Sequence, residues 1–418
     1  MVYQIIALAT LIVAIVLGFV KKINVGLVSF GLALLLSLIG NVEVSVIFAG
    51  FPGKLFITLL GTMFFFCLLQ ENKTLELLSQ KMVALVGSHT NLIPIIIYFV
   101  AFILSAAGPG AIPVQSVMII FAVSLAVQMQ TSPILLSCMA ILGAVGGTTS
   151  PIALSGIIVT DIMSEMGYTN IAMPVFIGVS IANFICAILL YVAFKGYKLK
   201  SSVTINKAEI PKFNKQQLLG IVAIIALIVI VVGFQYDVGL VSFTLALILI
   251  LINAANEKAA LKMIPWNVLI LICGVNVLMG VTKAMGGIDL LSEILSSLMN
   301  QYTAAPLIGL TAGLMSWFSS ANGVVLPTLL PTVTGIVADI GGNVTVLEMV
   351  MAIVGGATVA GISPLSTGGS LVLASYSQET NASDKEQQSL FGRLYLISFL
   401  AVVVIMIIAF VGGFKLFC

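Results

Sequence analysis

The chain is predicted to be an all-α polytopic membrane protein built from two inverted repeats of five transmembrane helices, each with a re-entrant hairpin and a broken helix. Three observations predict this. First, 60% of the 418 residues are hydrophobic and 8% are charged, with a mean hydropathy of +1.23. That is too little polar surface to cover a soluble domain. Second, VGLVSFGLALLLSLI at 25–39 returns as VGLVSFTLALILILI at 238–252, identical at 12 of 15 positions at an offset of 213. The same offset carries Pro52 onto Pro265, Leu77-Leu78-Ser79 onto Leu290-Leu291-Ser292 and Ser150-Pro151 onto Ser363-Pro364, while Pro113 meets Pro327 at 214. Third, the basic residues are distributed as two opposed copies require. A half-length repeat with matched Gly/Pro interruptions is the pattern of a secondary transporter that binds its substrate between the halves.

The elements follow from apolar runs long enough to span. The first repeat, 1–194, gives spans at 2–20, 24–40, 55–70, 132–165 and 171–194; the second, 216–418, gives 216–234, 238–252, 267–284, 345–376 and 393–414. The first span has neither the basic leader nor the small-residue cleavage site of a signal peptide, and it aligns with 215–233, so it belongs to the fold. Each half also contains an apolar pair, 90–107 with 111–130 and 303–320 with 324–340, whose tip carries no charge. A tip in water would be polar, so 90–130 and 303–340 read as re-entrant hairpins. The mixed segments 71–89 and 283–302 read as interfacial amphipathic helices that brace them. His89, the sole histidine, falls at a loop edge and reads as a solvated surface residue.

Five crossings per half make the second repeat inverted. With both termini outside a bacterial-type inner membrane, 14 of the 17 basic residues fall on the cytoplasmic side. They are Lys21, Lys22, Lys73, Lys81, six lysines of the linker 195–215, Lys258, Lys262, Lys385 and the only arginine, Arg393. Lys54, Lys283 and Lys415 remain outside. The positive-inside rule therefore places the first hairpin on the cytoplasmic side and the second on the exterior side. The net charge of +2 comes from singly placed residues, so no nucleic-acid surface is expected. The five cysteines have no metal or redox spacing, and no cofactor is expected.

Four interruptions should converge at mid-membrane: Ser105 with Gly108-Pro109-Gly110, Gly147-Thr148-Thr149-Ser150-Pro151, Ser319-Ser320 with Asn322-Gly323, and Gly361 with Ser363-Pro364 and Ser366-Thr367-Gly368. A helix broken in lipid frees N–H groups that favour an anion and carbonyls that favour a small cation. The carboxylates nearest these breaks are Asp161, Asp339 and Glu348. Asp161 lies ten residues beyond Pro151 and Asp339 twelve beyond Pro327, about 15 to 18 Å along a helix. With no titratable carrier at the breaks, neutral oxygens holding Na⁺ suit the pattern better than a proton. The sequence lacks the nucleophile context or paired membrane aspartates of an intramembrane protease, and an enzyme is not expected.

The order hairpin, broken helix, hairpin, broken helix, with Ser319-Ser320-Ala-Asn322-Gly323 at the second tip, resembles the ion transporter superfamily and its divalent anion/sodium symporters. The first half, through Asn24-Val-Gly-Leu, Gly50-Phe-Pro-Gly-Lys-Leu-Phe56 and 105–113, more narrowly resembles the malonate and dicarboxylate carriers. The resemblance implies a Na⁺-coupled dicarboxylate symporter, a lipid-embedded homodimer moving by an elevator mechanism on a scaffold of the first, second, sixth and seventh spans. A proton-coupled or exchange carrier is the alternative, and a channel a more distant one. The helix breaks and the resemblance, the latter through Ser319, Ser320, Asn322, Ser363, Ser366 and Thr367, together assign expected residue roles. Substrate would meet Gly108, Pro109, Gly110, Thr149, Ser150, Pro151, Ser320, Asn322, Gly323, Ser363, Pro364, Ser366 and Thr367. Na⁺ would meet Ser105, Gly147, Thr148, Ser319, Asn322, Gly361 and Gly368. The chain departs from the family pattern at the inner tip, where Gly108-Pro109-Gly110 replaces a polar triplet, so Thr148, Thr149, Ser150 and Gln115 would supply side chains there.

Overall fold

The computed structural model describes residues 1–84, 90–199, 210–380 and 382–418, so His89, Lys200 and Lys207 lie outside the described residues. Every regular element among the described residues is helical. The first half comprises α1 (Val2–Lys21), α2 (Val25–Gly40), α3 (Val44–Ala49), α4 (Gly53–Glu71), α5 (Thr74–Ala84), α6 (Ile93–Ala106), α7 (Ala111–Gln128), α8 (Pro133–Gly147), α9 (Leu154–Glu165) and α10 (Ala172–Ala193). The second half repeats that order. It comprises α11 (Lys215–Phe234), α12 (Val238–Leu251), α13 (Glu257–Met263), α14 (Trp266–Ala284), α15 (Gly287–Ser297), α16 (Ala304–Phe318), α17 (Leu326–Leu329), α18 (Val333–Ile340), α19 (Val346–Val359), α20 (Thr367–Thr380) and α21 (Asp384–Phe410).

Equivalent residues start equivalent helices. Asn24 caps α2 by accepting from the Gly26 amide at 2.8 Å, and Asp237, at the repeat offset, caps α12 by accepting from the Leu240 amide at 2.9 Å. Pro52 and Pro265 stand before α4 and α14 with φ/ψ of −79°/70° and −76°/68°. Having no N–H to leave unpaired, proline suits a helix start.

Packing then exchanges the halves: α2 lies on α14, and α12 lies on α4. A Cβ on Gly274 would overlap the Gly26 carbonyl, and one on Gly61 would overlap the Gly239 carbonyl. The two contacts are the same contact with the repeats interchanged. A second bundle surrounds α8 and α19, which are buried along nearly their whole lengths. Its hairpin helices are fastened in the same way in each half. Ser105 Oγ on α6 donates to the Ala144 carbonyl at 2.7 Å, and Ser316 Oγ on α16 donates to the Ala357 carbonyl at 2.8 Å.

The structure adds details the periodicity did not give. Short helices α3 and α13 precede the third span of each half. The second leg of 303–340 is divided into Ala321–Val325, α17, Leu330–Thr332 and α18. Pro331 lacks the amide a continuous helix needs at that point, whereas the prolines of α6 and α7 stand near their starts. Eight helices among the described residues are long and apolar enough to cross a membrane, and both hairpin second legs are included. Several expected spans are shorter: α12, with 14 residues, is about 21 Å long.

Candidate functional site

The first break lies between α8 and α9. The amides of Ser155 and Gly156 both turn back onto the Thr148 carbonyl, at 3.0 and 3.1 Å. This turn needs a glycine, because a Cβ on Gly156 would overlap the Ser150 carbonyl. At the same offset, a Cβ on Gly369 would overlap the Ser363 carbonyl in the second break. There Ser366 Oγ donates to the Gly361 carbonyl at 2.6 Å, and the Ser366 amide donates to the Ser363 carbonyl at 2.9 Å.

The first break is where the tips of both hairpins meet. From the first hairpin, Gly110 comes so close that a Cβ would sit 2.9 Å from Leu154 Cβ and 3.1 Å from Thr148 Oγ1. Its φ of +75° also favours glycine. Gly108, at φ +138°, lies against the Phe66 ring of α4. From the second hairpin, Asn322 Oδ1 accepts a hydrogen bond from Ser155 Oγ at 2.8 Å. Ser155 has a single hydroxyl proton, so the Thr148 hydroxyl, 3.3 Å away, donates to it. A polar chain Thr148–Ser155–Asn322 thus joins a broken helix of one repeat to a hairpin tip of the other. It contains no charged group. Among the described residues, the Asn322 amide nitrogen has no hydrogen-bond partner, leaving two donors for an oxygen ligand.

The second break packs along the other leg of the first hairpin, where α20 meets α7. Buried Gln115 directs Oε1 to within 3.3 Å of where a Cβ of Gly368 would be. Thr367 is exposed, Ser363 and Pro364 are buried, and Ser363 Oγ accepts from the Leu365 amide at 3.2 Å.

The predicted residues therefore divide. Gly110, Thr148 and Asn322 converge with Leu154 and Ser155. Gly361, Ser366 and Gly368 form the second break beside Gln115. Others are engaged within their own elements. Ser105 fastens α6 to α8; Gly147 packs on the Phe102 carbonyl; Thr149 Oγ1 donates to the Gly146 carbonyl at 2.7 Å. Ser319 Oγ donates to the Met315 carbonyl at 2.7 Å, and Ser320 Oγ accepts from the Gly323 amide at 3.1 Å. Gly323 lies under the Leu271 side chain of α14. Sequence reasoning missed Ser155. The signal was present, because the repeat offset carries Gly368 onto Ser155.

The carboxylates named from the sequence stand apart from this chain. Asp161 faces Lys54 at 3.9 Å, Asp339 Oδ2 accepts from Ser296 Oγ at 2.9 Å, and Glu348, in the first turn of α19, faces Lys415 at 3.9 Å.

No curated protein matches the chain in sequence. Among solved structures, the YdaH transporter of Alcanivorax borkumensis, described as having an unusual topology, is similar with a TM-score of 0.58 at 14% identity. The match covers 87% of this chain and 86% of that one. The likeness is one of fold, and it agrees with a multi-pass membrane protein. The family model described as "Citrate transporter" matches residues 11–356. The resemblance to the ion transporter superfamily is borne out, and the chain belongs to the citrate transporter family.

Proposed function

We propose that this protein is a secondary active symporter that carries a small di- or tricarboxylate with Na⁺ across the cytoplasmic membrane. One observation carries the reading: the uncharged chain Thr148–Ser155–Asn322 between a broken helix and a hairpin tip, with the Asn322 amide donors unengaged. Neutral donors at half-helix ends suit carboxylate oxygens, and carbonyl and hydroxyl oxygens suit Na⁺. The family supports a carboxylate substrate. The exchanged packing of α2 with α14 and α12 with α4 supports repeats related by a two-fold axis, and the distribution of basic residues supports their inversion. The grouping of α1, α2, α11 and α12 with α4 and α14 supports a scaffold, beside which the bundle around α8 and α19 would move as an elevator. The proposed assembly is a homodimer with both termini outside.

Thermal stability of the purified protein, measured with citrate, malonate and C4-dicarboxylates in Na⁺ and again in K⁺ or choline, tests the reading. Binding to the folded state raises stability by mass action. A shift for one acid that requires Na⁺ is expected. A shift indifferent to Na⁺ would replace this reading with proton coupling or exchange.

A further inference from the structure

A cavity of about 210 Å³ lies away from the breaks, lined by Ser132, Pro133, Tyr376, Glu386, Ser389 and Arg393 together with Ile134 and Leu390. Arg393 is the only arginine of the chain, and 16 lysines make up the rest of its 17 basic residues. Among the described residues it makes neither an ion pair nor a hydrogen bond, although Glu386 lines the same cavity. Glu386 Oε2 accepts from the Ser383 amide at 2.9 Å and from Ser383 Oγ at 2.8 Å, so two hydrogen bonds already engage part of its negative charge. The Ser132 hydroxyl makes no capping bond to α8, and the hydroxyls of Tyr376 and Ser389 have no partner among the described residues. One guanidinium and three hydroxyls therefore line one cavity with their donors unengaged among the described residues, beside the Glu386 carboxylate. Guanidinium presents a planar fork of donors that fits phosphate oxygens two at a time, and the amino end of α8 adds a favourable dipole.

We propose that this cavity binds a phosphate group, as a soluble anion or as the headgroup of an anionic lipid. Arg393 stands at repeat offset from Ser180, so the duplication of the fold does not explain it. Its location gives the site an effect: Ser132 begins α8 and Tyr376 is near the end of α20. A bound phosphate would thus bridge the outer ends of both broken helices. The predicted orientation puts Arg393 on the cytoplasmic side, where anionic headgroups attract basic residues.

The test uses the purified full-length protein in neutral detergent and follows thermal stability against inorganic phosphate, phosphatidylglycerol and phosphatidylcholine. Phosphatidylglycerol or phosphate is expected to stabilise the wild type more than phosphatidylcholine does. Arg393→Gln should need about tenfold more ligand for the same shift, the scale of a lost charge-assisted pair. Arg393→Lys should fall between, and Lys385→Gln should respond as wild type. Ser389→Asp, at an exposed position, should also weaken the response, which keeps the test available if Arg393→Gln does not fold. An Arg393-dependent shift with inorganic phosphate identifies a soluble ligand, and one with phosphatidylglycerol alone identifies the lipid. Equal responses of wild type, Arg393→Gln and Ser389→Asp to both ligands would overturn the proposal. Because no carboxylate or Na⁺ gradient is involved, the outcome is independent of the transport reading.

Discussion

Ser155 and Asn322 are 167 residues apart in the chain, yet the Ser155 hydroxyl donates to the Asn322 side-chain oxygen at 2.8 Å. This bond crosses from the first repeat's broken helix to the second repeat's hairpin tip, so a ligand held by either residue is sensed by both. Asn322→Ala removes the acceptor and the two unengaged donors. Substrate or Na⁺ affinity should fall at least about fivefold, the scale of about 1 kcal/mol per neutral hydrogen bond, with expression and assembly unchanged. Ser155→Ala should produce a smaller loss, and the double variant should lose less than the two combined, since the residues act through one contact. Titration of substrate-induced thermal shifts measures this. Wild-type affinity in Asn322→Ala would remove Asn322 from the site.

Lys54 and Asn267 occupy equivalent positions at the offset of 213, and both are exposed. If the repeats are inverted, the two positions face opposite sides of the membrane. Of the five cysteines, four are buried and Cys418 is exposed, so Cys418→Ser supplies a quiet background. In intact cells, a membrane-impermeant thiol reagent should label Lys54→Cys and spare Asn267→Cys, with the reverse in inside-out vesicles. Labelling of both from one side would mean parallel repeats.

Gly274 meets the Gly26 backbone, and Gly61 meets the Gly239 backbone, leaving no room for a methyl group at either crossing. Backbone atoms cannot move aside as a side-chain end can, so overpacking should cost about 1 to 3 kcal/mol. Gly274→Ala and Gly61→Ala should each lower the unfolding temperature by a similar amount, because they disturb one contact built twice. Gly31 has open space around the same atom, and in the middle of α2 its replacement by alanine should be neutral or stabilising. Destabilisation by Gly31→Ala equal to that of the other two would undo the packing argument.

The fold was legible because it is written twice. Asn24 and Asp237, Pro52 and Pro265, and Gly156 and Gly369 all keep the offset, and each pair performs one local task in both halves. The site was legible only in part, for a physical reason. Small hydroxyl residues near a break either reach across to another element or bond back to their own helix, and sequence does not separate the two. Thr148 reaches across, whereas Thr149, its neighbour, donates three residues back to Gly146. Ser155 was passed over because it lies beyond the Gly/Pro cluster, in the first turn of α9. The division of the second hairpin's return leg at Pro331 was also hidden, since Pro113 and Pro327 match while Pro331 has no partner at the offset.

The coupling ion can be decided by the carboxylates that the site does not use. Asp161 is paired with Lys54 at 3.9 Å, but the Lys54 side chain is 80% exposed, so the pair should contribute under about 1 kcal/mol. Glu348 is buried at the start of α19, with Lys415 also 3.9 Å away and Oε2 without a hydrogen bond among the described residues. Neither touches the chain Thr148–Ser155–Asn322. In a Na⁺-driven carrier, Asp161→Asn and Glu348→Gln should therefore support nearly wild-type uptake, with an unchanged dependence on Na⁺ concentration. In a proton-driven carrier, a carboxylate such as Asp161, Glu348 or Asp339 has to bind and release the transported proton, and an amide at that position cannot, so Asp339→Asn completes the set. Uptake into proteoliposomes under an imposed Na⁺ gradient, compared with an imposed pH gradient, separates these cases. A dead Asp161→Asn variant that folds normally would move the coupling from the neutral oxygens of the breaks to a carboxylate at the end of α9.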